Sequence, residues 1–183
     1  VSRAVSGKGR IGEQTRQRVL EYIAQHNYKP NVMAKGLANN RTYNIGMVLQ
    51  ADLLSSDLPF FPKALKGISE VAAKEEYDVI MTLVDTNDLS RLVRVIENHK
   101  VDGLILMRTL QDDKPAEMLK KSDIPFVTMG LSDDLGIYQV DNDHVDACRE
   151  LTSILLLKGL KKIAVVSGDM NHVINRKRLE GFY

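Results

Sequence analysis

The sequence has 183 residues, 44% hydrophobic and 27% charged, a composition that suits a soluble globular chain of one domain or two. No apolar run approaches the roughly 18 residues of a membrane span. The opening residues lack a basic-then-apolar signal pattern, and the lone Cys148 excludes an internal disulfide framework and fits a reducing cytoplasm. The net charge of +1 hides an asymmetry, since residues 1–43 carry eight basic side chains against two acidic ones and the remainder is net acidic. Such a head is either a surface for a polyanion or an ordinary solvated basic face, and charge alone leaves both open.

Residues 1–5 read as the tail of a helix, followed by the glycine-rich turn Ser6-Gly7-Lys8-Gly9-Arg10. Val19, Leu20, Tyr22 and Ile23 recur at helical spacing and predict an amphipathic helix over Glu13 to His26. A chain starting at Val1 could not cover that apolar face completely, so the sequence reads as cut at its beginning. Lys29-Pro30-Asn31 is a break followed by a helix start, because proline biases its predecessor to extended backbone and asparagine is a good N-cap. Val32 to Ala38 predicts about two helical turns, marginal alone because nucleation is unfavourable and Gly36 weakens it.

From Ile45 onward, short apolar runs alternate with amphipathic stretches. Strands are predicted at Ile45–Leu49, Tyr77–Val84, Gly103–Met107, Phe126–Met129, Ile137–Val140 and Ile163–Val166. Helices are marked by Ala64, Leu65, Ile68, Val71 and Ala72, and by Leu89, Leu92, Val93 and Ile96. Further helices fall at Pro115–Lys121 and Asp143–Lys158. This alternation implies βαβ units and a parallel sheet with helices on both faces. Ligands of such sheets bind outside the carboxyl ends of the strands. That edge holds Gln50 to Phe61, Met107 to Thr109, Gly130 to Leu131 and Gly168 to Asp169. The last helix and strand open a further βαβ series, which reads as a second lobe broken off at Tyr183.

Several segments together resemble the lactose-repressor (LacI/GalR) family of regulators. They are Val1-Ser2-Arg3-Ala4-Val5-Ser6-Gly7, Thr15-Arg16-Gln17-Arg18-Val19, Asn27-Tyr28-Lys29-Pro30-Asn31, Val101-Asp102-Gly103-Leu104-Ile105, Asp141-Asn142 and Arg178-Leu179-Glu180-Gly181-Phe182. Each is weak alone, but they occur in order along the whole chain. The resemblance implies an α/β fold with four parts. Residues 1–28 would be the C-terminal part of a helix-turn-helix domain, and 29–44 a hinge helix and linker. Residues 45–142 would be the N-terminal subdomain of a periplasmic-binding-protein-like sensor core. Residues 143–183 would begin a truncated C-terminal subdomain.

The resemblance also implies roles. Arg3 matches the family's base-contacting recognition-helix arginine, and Ser2 and Tyr28 positions that seat the module on the DNA backbone. Asn31 stands at the hinge N-terminus, placed for a phosphate contact. Ala34 is a small hinge residue, and Leu37 is the wedge that enters the minor groove. For the effector, Phe60 or Phe61 would offer a flat apolar surface. Arg178 would be a donor fork for sugar hydroxyls, with Met107, Arg108, Gly130 and Asp141 at nearby loop positions. The implied partners are operator DNA, a second copy of the chain with Ala64 to Glu75 and the helix near Leu92 at the interface, and a small sugar. Ala34-Lys35-Gly36-Leu37-Ala38-Asn39 with Asp57-Leu58-Pro59-Phe60-Phe61 points to maltose or a related α-glucoside. The chain reads as a cytoplasmic repressor rather than an enzyme, with no cofactor, no metal and no membrane. The competing reading is a sugar-binding protein of the periplasmic type without DNA binding.

Plainer readings apply to other residues. Asp141-Asn142-Asp143-His144 could hold a metal, but Asp143 reads better as a helix cap. His26, His99, His144 and His172 lack zinc spacing. Cys148, on a helix side with Leu151 and Leu155, reads as buried and inert. Gly7 and Gly9 follow no buried strand, so they are no dinucleotide fingerprint. Met47, Met81, Met107 and Met129 read mostly as core filler.

Overall fold

The computed structural model describes residues 1–7, 9–26, 28, 31–51, 59–85 and 88–183, the side chains of residues 2, 6, 32 and 33 excepted. The predicted turn residue Lys8, the break at Lys29-Pro30 and the segment through Leu58 therefore lie outside the described residues. Two compact units are present, Val1–Thr42 and Tyr43–Tyr183.

The first unit holds three helices, α1 (Ser2–Ser6), α2 (Glu13–Gln25) and α3 (Val32–Asn39). Gly7 ends α1 in the left-handed region at φ 66°, a conformation glycine adopts without β-carbon strain. Gly12 caps α2 through extended backbone alone, and Glu13 places a carboxylate in the first turn, where the helix dipole favours it. Val19 and Ile23 are half-buried, and α2 has no fully buried residue. Helix α3 closes with Asn40 at φ 50° and a 2.9 Å bond from the Arg41 N–H to the Gly36 carbonyl, a terminus of Schellman type.

The second unit is built on strands β1 (Asn44–Gln50), β2 (Asp78–Val84), β3 (Gly103–Leu106), β4 (Phe126–Met129) and β5 (Tyr138–Val140). Helices α4 (Phe60–Lys74), α5 (Ser90–Glu97) and α6 (Lys114–Lys120) connect strands, and α7 (His144–Leu157) and α8 (Val173–Phe182) follow the sheet. The sheet order is β2-β1-β3-β4-β5, with every pairing parallel. Ile45 faces Gly103 and Val48 faces Leu106, so β1 and β3 end together at one edge.

Strand alternation sorts the core into two layers. Met47, Leu49 and Met107 meet Phe61, Ala64, Leu65 and Ile68 of α4 on one face. Val48, Val84, Leu104 and Leu106 meet Leu92 and Val95 of α5 and Ala116 and Leu119 of α6 on the other. Gly46 has no room for a side chain, since a β-carbon there would overlap Leu104. Pro62 lies in the first turn of α4, where no intrahelical partner awaits its missing N–H. Asp113 caps α6 by accepting the Ala116 N–H at 3.0 Å, and Asp143 caps α7 by accepting the Asp146 N–H at 2.9 Å.

Three expectations need correction. Residues 163–166 form no strand. Among the described residues no neighbouring strand offers them a ladder, and Val166 is 99% exposed. Cys148 is half-buried rather than buried, because Leu151 beside it on α7 stands in solvent among the described residues. Met81 lies on edge strand β2 and is exposed rather than core.

Candidate functional site

Two groups of sequence-predicted residues occupy two units, and each has its own geometry. In the first unit Arg3 is exposed on α1, and the turn at Gly9 (φ 97°) lies over its aliphatic stem. Ser2 opens α1. Tyr28 is exposed, with its backbone N–H on the Ile23 carbonyl at 3.1 Å. Asn31 immediately precedes α3, and its carbonyl accepts the Lys35 N–H at 3.0 Å. Ala34 is exposed on α3. Leu37, on the same helix, is 89% exposed. A large apolar side chain held so fully in water gains nothing for the free protein, so it is available to an apolar partner surface. Arg10, Arg18, Lys35 and Arg41 are also exposed in this unit.

In the second unit the candidates other than Arg178 follow the carboxyl ends of β1, β3, β4 and β5. Phe60 and Phe61 meet edge to face, with ring centroids 5.3 Å apart. The pair divides its labour, with Phe61 in the α4-side core and Phe60 52% exposed. Met107, an effector candidate by resemblance and core filler by its place in the strand, lies in the α4-side core. It is 2% exposed because it follows β3 on the α4 face, where strand alternation turns it inward. Arg108, one residue on, is half-buried on the opposite side. It lines a small cavity with Gln50, Asp113, Val48, Val84, Leu106 and Pro115. The Gln50 side-chain oxygen is buried there without a partner among the described residues. Burial pushes the Asp113 carboxyl above its ordinary value, and the N–H groups of Ala116 and Leu110 hold it back.

Gly130 (φ 126°) is required by its surroundings, since a β-carbon would lie 2.8 Å from the Thr109 hydroxyl. The loops after β3 and β4 therefore touch. Asp141, at the end of β5, braces the loops around it. Its carboxylate accepts the Leu131 N–H at 2.9 Å and the Asn142 N–H at 2.8 Å, and it pairs with His144 Nε2 at 2.9 Å. Those contacts occupy three of its roughly four lone-pair positions. Arg178 is exposed on α8 and has no hydrogen-bond or ion-pair partner among the described residues. The start of α8 is anchored beside the same edge, by a bridge between Leu110 and His172 and an Arg176–Asp133 pair at 3.8 Å.

The sequence placed Gln50 and Thr109 on the binding edge without a specific role, and weighed His144 only as a metal ligand. Gln50 had a signal, a polar residue ending an apolar strand at the binding edge, whereas Thr109 and His144 acquire theirs only from distant neighbours.

A parallel sheet of this order, entered from a basic helical unit, leaves few families to consider. Residues 42–183 match the family model for periplasmic binding proteins and the sugar binding domain of the LacI family. The chain belongs to the LacI family. Residues 1–31 of this LacI-family chain separately match bacterial regulatory proteins of the lacI family. It is 34% identical over 188 residues to the HTH-type transcriptional regulator MalR of Streptococcus pneumoniae, a match covering 100% of this chain and 56% of the relative. It is 37% identical over 180 residues to the HTH-type transcriptional regulator pepR1 of Lactobacillus delbrueckii subsp. lactis, covering 96% and 53%. The solved lac repressor dimer bound to operator and the anti-inducer ONPF is 25% identical. It has a TM-score of 0.77, covering 99% of this chain and 55% of that one. The LacI-family chain thus spans about half the length of the curated relatives it matches.

Proposed function

We propose that the full-length protein is a sugar-responsive transcriptional repressor of a carbohydrate-utilisation operon. It acts in the cytoplasm as a homodimer on paired operator half-sites. The observation that carries this reading is Leu37, an 89% exposed leucine on the eight-residue α3, the last helix of a basic unit that precedes a sugar-binding-type lobe in the chain. In this reading Arg3 reads a base edge, Tyr28, Ser2 and Asn31 touch the sugar-phosphate backbone, and Leu37 wedges into the minor groove beside Ala34. The effector lies at the carboxyl edge of the sheet, against Phe60, with Arg108, Gly130 and Arg178 around it. Maltose or a related α-glucoside is the proposed effector, supported by the resemblance at residues 34–39 and 57–61 and by the likeness to MalR.

The mechanism is a coupling between two sites. Sugar favours one arrangement of the sensor, DNA favours another, and α3 forms fully only in the second. A coupling of about 1–3 kcal/mol is typical of such systems and is enough to move a marginal helix. The basic first unit and its likeness to bacterial regulatory proteins speak against a sugar-binding protein without DNA binding. The test is binding of the full-length protein to its own promoter fragment across a salt series, with and without maltose. Binding that strengthens with falling salt and weakens with maltose is expected. Salt-sensitive binding indifferent to sugars removes the effector assignment, and absence of DNA binding removes the repressor reading itself.

A further inference from the structure

We infer that Arg16 is a positioning residue for operator discrimination: a strut that sets the orientation of the Arg3-bearing helix without touching DNA. The inference rests on the repressor reading above. Three contacts converge on this side chain. Its Nε–H donates to the Ala4 carbonyl oxygen at 3.2 Å, across from α2 to the end of α1. Its guanidinium lies against the open face of Gly7, so that a β-carbon there would be 3.4 Å from a terminal nitrogen. Its Nη1 is 4.0 Å from Glu13, a loose pair on its own helix.

The chemistry of the helix end explains why an arginine belongs there. The last four carbonyls of a helix have no intrahelical donor, and α1 ends at Gly7. Ala4 is fully buried, so its carbonyl cannot rely on water. Arg16 supplies a side-chain donor to it, and its positive charge sits favourably at the negative end of the helix dipole. The neighbouring Arg3 carries the proposed base contact on the same turn. A bidentate base contact tolerates little tilt, whereas phosphate contacts are shared among many cations and forgive it. Arg16 is half-buried, unlike the exposed Arg3, Arg10 and Arg18. The strut therefore governs specific binding far more than non-specific binding.

The experiment uses the full-length protein and the duplex it enriches from a random pool, with calf thymus DNA as the non-specific comparison. Arg16→Gln is expected to lower the operator-to-non-specific affinity ratio by about tenfold, the scale of one bidentate contact. Its non-specific affinity should stay within about twofold and its salt slope should change by less than about one, with binding compared below the melting transition of both proteins. Arg16→Lys, which keeps the positive charge and the reach but loses the planar fork, should recover part of the ratio, and Glu13→Gln should leave it unchanged. An equal loss on both DNAs, with a slope reduced by about one, would make Arg16 a phosphate contact and overturn the strut. A ratio unchanged in Arg16→Gln overturns it as well. A wild-type protein that enriches no duplex refutes the repressor reading instead. In that case the Arg16 Nε–H nitrogen–proton resonance still decides the contact, since rapid solvent exchange there would deny the bond to Ala4.

Discussion

Gly181 of α8 lies directly on the carbonyl oxygen of Val145 in the first turn of α7, and a β-carbon at 181 would overlap that oxygen. Gly181 is buried, so the helices have no room to slide apart freely. Gly181→Ala should destabilise the chain by about 2 kcal/mol, overpacking outweighing the better helix propensity of alanine. Urea unfolding reads this directly, and an unchanged midpoint would mean that the two helices do not meet as described.

The contact between Gly130 and Thr109 makes a separable prediction. Gly130→Ala incurs both a strained φ and a clash with the Thr109 hydroxyl, together about 2 kcal/mol or more. Adding Thr109→Ala should restore only part of the loss, because the backbone strain remains. Full recovery in the double variant would show that φ contributes nothing.

His99 sits just after α5 at φ 45°, with its N–H on the Ile96 carbonyl at 3.0 Å and the following Lys100 N–H on the Val95 carbonyl at 3.1 Å. This is a Schellman terminus with histidine at the glycine position. His99→Gly should raise stability by about 0.5–1 kcal/mol, seen as a higher melting temperature. A lower one would refute the left-handed assignment.

Asp113 predicts a pH dependence of definite sign. Burial raises its carboxyl above the ordinary 3.8, so the folded state holds its proton more tightly than the unfolded state. Its contribution is therefore fully present below 3.8 and declines as pH rises through the folded value. Asp113→Ala loses the cap to α6 but also this titration. The wild-type advantage over the variant should shrink as pH rises from about 4 toward neutrality. Denaturant unfolding at several pH values checks it, and an advantage that grows over that range contradicts the buried placement.

Leu37→Ala should leave the melting temperature within about 0.5 kcal/mol equivalent, since an exposed side chain stabilises little. Operator affinity of the full-length protein should fall by about tenfold or more, the wedge being the apolar part of a minor-groove contact. A large stability loss would place Leu37 in a core instead.

Much of the fold was legible because its signals are local. The apolar runs at 45–49, 103–107 and 126–129 are strands within a residue of their expected bounds. Asp143 announced α7 by its capping chemistry. The run at 163–166 misled because β-branched residues report a preference, while a strand exists only where a neighbour completes its hydrogen bonds. At the site, Phe60 and Phe61 were indistinguishable in sequence, and the partners of Asp141 were not visible in it.

What the amino-acid order determined by itself was most of the succession of elements, the parallel architecture and the basic head, since periodicity, capping and charge are read over a few neighbouring residues, while the family was carried by the resemblance of several motifs in order along the chain. Only the tertiary structure decided which groups remain available. Met107 turned inward, Asp141 was claimed by Leu131 and His144, and Arg16 was drawn to Ala4. The reason is that burial and hydrogen-bond satisfaction depend on partners brought together by the whole chain, so a donor or acceptor counts as free only after every neighbour has been placed.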